Sequence, residues 1–134
     1  MLEADLYSPL LKGARADGWY LYRLPDDSAF PRPFDFGGFA PGGRGVALEV
    51  KLVGQLDPRH RFPWRLFSPH QVGWLVQAEA LGALAVAGVY VAESRSMRLY
   101  YPCAYHFGAD TTVGNVPYVE LRREHDIFRG WRTL

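Results

Sequence analysis

The stretch Val46-Ala47-Leu48-Glu49-Val50-Lys51-Leu52-Val53 is apolar at six positions and charged at two. Its length and β-branched content predict a strand. Side chains alternate between the two faces of an extended chain, so Leu48, Val50 and Leu52 share one face, and Ala47, Glu49, Lys51 and Val53 the other. Glu49 and Lys51 therefore project side by side. Lys51 is one of only two lysines, with Lys12, in a chain that otherwise uses arginine.

Upstream, Phe34 to Phe39 reads as a second strand, cut short by Pro41-Gly42-Gly43. The Ala40-Pro41-Gly42-Gly43-Arg44-Gly45 turn is a hairpin-like connector. Antiparallel pairing across it brings Asp35, at the start of one strand, to Glu49, toward the far end of the next. Gly37 and Gly38 in the same segment let a backbone or an ion approach closely. Trp19 to Leu24, bounded by Asp17-Gly18 and Pro25-Asp26-Asp27, reads as a first, aromatic-rich strand. Before it lies a helix that either starts late, with Ser8 as N-cap and Pro9 at the first position, or starts near Leu2 and is kinked at Pro9.

Downstream, a polar segment from Gly54 to Phe67 leads to Ser68-Pro69-His70-Gln71, an N-cap and first turn. Val72, Leu75, Val76 and Glu79 form one stripe of this helix and Trp74, Ala78 and Leu81 another, which predicts a well-covered helix ended by Gly82. Ala83 to Ala92 is an apolar run suited to a buried central strand, and Met97 to Tyr101 pairs with it after a turn at Glu93 to Ser96. The order is helix, three strands, helix, two strands. It predicts one α/β domain over residues 1–134, with a mixed five-stranded sheet flanked by helices.

The 134 residues suit one compact domain, and 49% hydrophobic with 22% charged residues is globular composition. No apolar run approaches the roughly 18–20 residues needed to span a bilayer, and the acids of Met1-Leu2-Glu3-Ala4-Asp5 do not suit a secretory signal. A single cysteine, Cys103, excludes an intramolecular disulfide and makes a cysteine-based zinc site a poor fit. The chain reads as soluble, intracellular and cytoplasmic (a host cytoplasm if viral), with no membrane partner. A net charge of +1 is uninformative, but its distribution is uneven. Arg59 to Arg65 holds three arginines, a histidine and no acid.

Two carboxylates and a carbonyl are a sufficient protein share for a magnesium ion that keeps its own waters. Asp35, Glu49 and the backbone carbonyl of Val50 can give that set. Lys51 can orient the attacking water or stabilise charge on a phosphorane. Taken alone, the same pattern also describes a solvent-facing Glu-x-Lys pair and a turn aspartate. What separates the two readings is context: the charges sit in an apolar strand, before a helix and a buried strand, one hairpin from Asp35.

The series Asp35-Phe36-Gly37-Gly38, Ala47-Leu48-Glu49-Val50-Lys51 and Ser68-Pro69-His70-Gln71 before a helix resembles the PD-(D/E)xK nuclease core. Over roughly residues 1 to 101 it is most similar to Holliday junction resolvases of the RecU and archaeal Hjc type. The leading proline of the motif is displaced to Pro33, with Phe34 in its place. The resemblance implies a restriction-endonuclease-like fold and magnesium-dependent cutting of branched DNA, a four-way junction, by a homodimer in recombination and repair, with manganese as a substitute metal. It implies that Asp35 and Glu49 are metal ligands and Lys51 the catalytic lysine. Glu3 matches an acidic residue of the first helix, and Gln71 matches an active-site glutamine.

Several residues keep two readings. Ser68-x-x-Gln71 is also a capping box. His70 reads as a first-turn surface residue, and His106 and His125 have no partners at ligand spacing. Arg59, Arg61 and Arg65 can contact phosphates while Phe62 or Trp64 stacks on an unpaired base; alternatively the segment is a solvated loop whose Trp64 packs on the second helix. The Arg129-Gly130-Trp131-Arg132 tail can grip DNA, dock on a dimer partner or cover core. Rival functions are another nuclease of this superfamily acting on duplex or single strands, a non-catalytic DNA-binding module, and a structural protein with an incidental motif.

Overall fold

In the computed structural model, residues 1–25, 32–59, 62–101 and 118–134 are described, Trp64 by its backbone alone. A 3-10 turn over Glu3–Leu6 runs into helix α1 (Tyr7–Ala16), followed by strands β1 (Tyr20–Arg23), β2 (Phe36–Phe39) and β3 (Gly45–Val53). Helix α2 (Pro69–Ala80), β4 (Leu84–Val91) and β5 (Ser96–Tyr100) come next, then β6 (Tyr118–Glu124), β7 (Ile127–Arg129) and a final turn over Trp131–Thr133. All seven strands form one sheet in chain order. Every neighbouring pair is antiparallel except β3 and β4, which run parallel through the α2 crossover.

The sheet thus has seven strands, not the expected five. The two additional strands are polar enough to escape a hydrophobic-pattern reading. In Tyr118–Glu124 only Leu121 is fully buried, and β6 and β7 are joined by His125 and Asp126, both at positive φ. Such a two-residue connection matches the twist of a hairpin without any glycine.

A 3-10 turn starts after Leu2 and passes into α1 at Tyr7, so the N-terminal segment combines parts of both expected starts and Ser8 is not the N-cap. Pro9 falls in the first turn of α1, where its missing N–H has no intrahelical partner to lose. Leu6, Leu10, Gly13 and Ala14 are buried along one face. Helix α1 packs against both β1 and β7, the two edges of the sheet, so the sheet curls around it. Gly13 makes this possible, because a Cβ there would collide with the Phe128 backbone. The Gly38 backbone likewise lies so close to that of Tyr20 that no side chain fits. The approach that this glycine permits is therefore that of β1.

The core divides between the two sheet faces. Leu48 and Val50 join Leu10, Phe36, Val86, Met97, Leu121, Phe128 and Trp131 on the α1 side. Ala47 joins Phe62, Phe67, Leu75, Ala85, Ala87 and Val89 on the α2 side. Trp131 is 1% exposed, packs on Trp19 at 5.4 Å and donates its indole N–H to the Phe128 carbonyl. This part of the tail covers core. Arg132 pairs with Asp17 at 3.3 Å.

Helix α2 departs from its expected coverage. Leu75 is its one fully buried residue, while Trp74, Val76 and Leu81 are 42%, 37% and 81% exposed. Both predicted stripes therefore reach solvent in part, because among the described strands α2 lies mainly over β3 and β4. Phe62, one of the two residues offered for stacking on a base, is buried against Phe67 and Tyr100.

Candidate active site

Strand β2 begins at Phe36, opposite Leu48. Beyond that point no described strand pairs with β3 on the β2 side, and two acids take the vacated ladder positions. Asp35 Oδ2 accepts from the Val50 N–H at 2.9 Å, and Glu3 Oε2 accepts from the Leu52 N–H at 3.2 Å. An extended residue points its N–H and C=O to the same side, so the Val50 carbonyl faces this gap as well. The register alone explains why Asp35 reaches Val50: it is the first residue after the ladder stops.

Glu49 projects from the α2 face of the same strand and closes a second link, its Oε2 accepting from the Asp35 N–H at 3.0 Å. Both acids are buried, at 4% and 2% exposure. Lys51 Nζ stands 3.5 Å from Glu49 Oε1 and lies over the Phe67 ring. Burial, then the Asp35 carboxylate, push the Glu49 carboxyl up to about 8, against the opposing Lys51 charge. A carboxyl raised in this way ionises less readily than an exposed one, and nearby positive charge favours its charged form.

Gln71 makes the capping box and also reaches Glu49. Its Oε1 accepts from the Ser68 N–H at 2.9 Å while Ser68 Oγ accepts from the Gln71 N–H, which is the capping box. Its Nε2 donates to Glu49 Oε1 at 2.8 Å. The amide has one orientation that satisfies both ends, so the cap of α2 also fixes the Glu49 carboxyl.

The structure thus brings Asp35, Glu49, Lys51, Gln71 and the Val50 carbonyl to one place, with Glu3 one ladder step away. Among the described residues no group of three or more His, Cys, Asp or Glu is disposed to hold a metal, so Glu3 stands outside the immediate pair. Arg59 and Arg65 are exposed on the 54–67 segment, with the Arg59 N–H bonded to Asp57. Arg61, the Trp64 side chain and His106 lie outside the described residues. His70 is exposed, against Trp74.

Two arginines were missed. Arg23 Nη1 donates to Asp35 Oδ1 at 2.9 Å, and Arg32 approaches the same oxygen at 3.6 Å. Arg23 also stacks over the Tyr7 ring at 4.2 Å. Its register partner is Phe36, so the signal was present once β1 is paired with β2; the sequence read strand by strand does not show it.

No protein-family model matches this chain, and no curated protein is similar at the level of sequence. Solved structures match in fold. Among them is Hjc of Archaeoglobus fulgidus, a Holliday junction resolvase from an archaeal hyperthermophile, at a TM-score of 0.58 and 20% identity. The match covers 93% of this chain and 84% of that one. The two share a fold. The expected mixed α/β architecture is therefore that of a known resolvase, reached here with little sequence in common. No described helix is long and apolar enough to cross a membrane.

Proposed function

We propose that this chain is a metal-dependent, structure-selective DNA endonuclease that resolves four-way junctions by paired phosphodiester cuts in a homodimer. The observation that carries the reading is the interlocked pair Asp35 and Glu49, buried at the open edge of β3 with Lys51 alongside. A surface Glu-x-Lys pair would be solvated, and these acids are not. The shared fold with a junction resolvase supports the choice of substrate.

The donor set fits a hard divalent cation. Asp35 Oδ1 is held by arginine and Oδ2 by one backbone N–H, each oxygen keeping a further lone pair. With Glu49 and the Val50 carbonyl they offer oxygen ligands of the kind Mg2+ prefers, with Mn2+ as a substitute. A bound divalent ion would supply an activated water and neutralise negative charge on the phosphoryl oxygens. The chain's own residues do the rest. Lys51, its ammonium held beside Glu49, orients that water and stabilises charge on the phosphorane oxygens. Gln71 fixes the Glu49 carboxyl, and Glu3 supports the β3 edge. Arg59, Arg61, Trp64 and Arg65 contact the DNA, the exposed guanidinium groups of Arg59 and Arg65 binding phosphates. Two equivalent sites come from an isologous dimer, and the uncovered side of α2, with Trp74 and Leu81, supports such an assembly.

The test is cleavage of a labelled four-way junction against a matched linear duplex, each with and without Mg2+. Magnesium-dependent cutting that favours the junction is expected. Equal rates would reassign the chain to another nuclease of the same architecture, and no cutting of either would reduce it to a binding module.

A further inference from the structure

The sheet face that carries Glu49 and Lys51 also carries an open group of aromatic rings. The register pairs Tyr20 with Phe39 and Tyr22 with Gly37, and places Gly37 opposite Ala47 of β3. Ala47 lies on the α2 side with Phe67 and Leu75, so Tyr20, Tyr22 and Phe39 point to that side too. Helix α2 does not reach them: they are 61%, 44% and 52% exposed. The Tyr20 and Tyr22 rings lie 6.0 Å apart, and Tyr22 and Phe34 close over Gly37, where an added Cβ would touch each at 3.6 Å. Glu49 is one alternation further along β3 than Ala47, about 7 Å at the rise of a strand.

We infer that this group is a stacking platform for unpaired nucleobases of the strand cut at the neighbouring carboxylates. The inference rests on the nuclease reading above and names how that site takes its substrate. Three features favour nucleobases over a protein partner. First, the open ring surface is on the order of 300 Å², taking about 200 Å² for a whole aromatic side chain; a stable protein contact uses about 800 Å² per partner. Second, the platform is continuous with the site through Gly37 and Asp35 of one segment. Third, each base has a π-face, and stacking on exposed rings needs no hydrogen-bond complement. Arg32, partly exposed beside Asp35, puts positive charge at the carboxylate end of the same segment.

The experiment measures binding of a fluorescent twelve-nucleotide oligothymidylate, and of a fully paired linear duplex, by anisotropy in EDTA at several salt concentrations. The triple variant Tyr20→Ser, Tyr22→Ser, Phe39→Ser is expected to bind the oligothymidylate at least tenfold more weakly, with the salt slope and duplex affinity unchanged. Tyr20→Phe with Tyr22→Phe keeps the rings and is expected to keep the affinity, which separates stacking from any loss of fold in the triple variant. Unchanged oligothymidylate binding by the serine variant overturns the inference. So does an equal loss on duplex, or conversion of a dimer to a monomer in sedimentation, which would assign the rings to a second copy. Wild-type protein that cuts junctions while its serine variant binds the single strand normally refutes the platform alone. Wild-type protein that binds the single strand through these rings and cuts nothing refutes the nuclease reading instead.

Discussion

The Val50 N–H is bonded to Asp35 Oδ2 at 2.9 Å, where a further residue of β2 would otherwise have met it. A side chain has taken over a backbone role, so Asp35 serves the sheet as well as the site. Asp35→Ala would leave a buried N–H and the Arg23 guanidinium without their acceptor, at a cost of about 1–3 kcal/mol. Asp35→Asn keeps an acceptor for Val50. It is expected to melt much closer to wild type than Asp35→Ala and to lose metal-dependent heat in calorimetry, while still binding a junction.

Arg23 holds the Asp35 oxygen that a cation would approach. Removing a neighbouring positive charge favours binding of another, and at these distances the Coulomb term amounts to a kcal/mol or more. Arg23→Met is expected to bind Ca2+ roughly tenfold more tightly in calorimetry, and to melt at lower temperature in EDTA. Weaker Ca2+ binding would mean that Arg23 instead organises the ligand.

Glu49 has a folded-state value of about 8, far above the ordinary carboxyl range, because of its burial and the nearby Asp35. In the window between the unfolded value near 4.5 and about 8, the folded form binds more protons than the unfolded form. The contribution is complete below the unfolded value and is lost as pH rises toward 8. Metal-free protein is therefore expected to lose melting temperature across that window, and Glu49→Gln to remove much of the slope. Metal binding at pH 7 should release protons, read as a dependence of calorimetric heat on the buffer.

Gln71 can be separated into its two roles. Gln71→Glu retains a capping-box acceptor for the Ser68 N–H but sets a third carboxyl against Glu49 Oε1. Near-native helix stability with a large fall in cleavage is expected. Gln71→Ala loses both, including about 1 kcal/mol from the cap. Equal activity of the two variants would leave only the cap.

Gly13→Ala tests the curl of the sheet. The added methyl meets the Phe128 backbone rather than a movable side chain. The expected cost is about 1–3 kcal/mol or more, read as a fall in melting temperature and in urea midpoint.

Much of this was legible because two periodicities governed it. The alternation in Val46 to Val53 assigned Glu49 and Lys51 to one face, and the Ser68-Pro69 cap located α2 to the residue. The antiparallel hairpin then brought Asp35 to Glu49 with no further information. What escaped depends on neighbours that no local pattern names. Arg23 meets Asp35 because β1 pairs with β2, and Tyr7 lies beneath it because α1 crosses that edge. Strands β6 and β7 bury so few residues that their sequence reads as surface, and α2 has an apolar side without a described cover. The dual bonding of Gln71 was posed as a choice between readings, but an amide has two ends.

Because α1 rests on both margins of the sheet, the first helix finds its full seat only when residues near Phe128 are in place. A nascent chain that has emerged as far as β5 already carries Asp35, Glu49, Lys51 and Gln71, yet its N-terminal segment is without half of its support. Glu3, which leads into that helix, then lacks a firm hold on Leu52. Assembly of the acidic edge is thereby tied to the strand that carries Phe128, at the far margin of the sheet from β1.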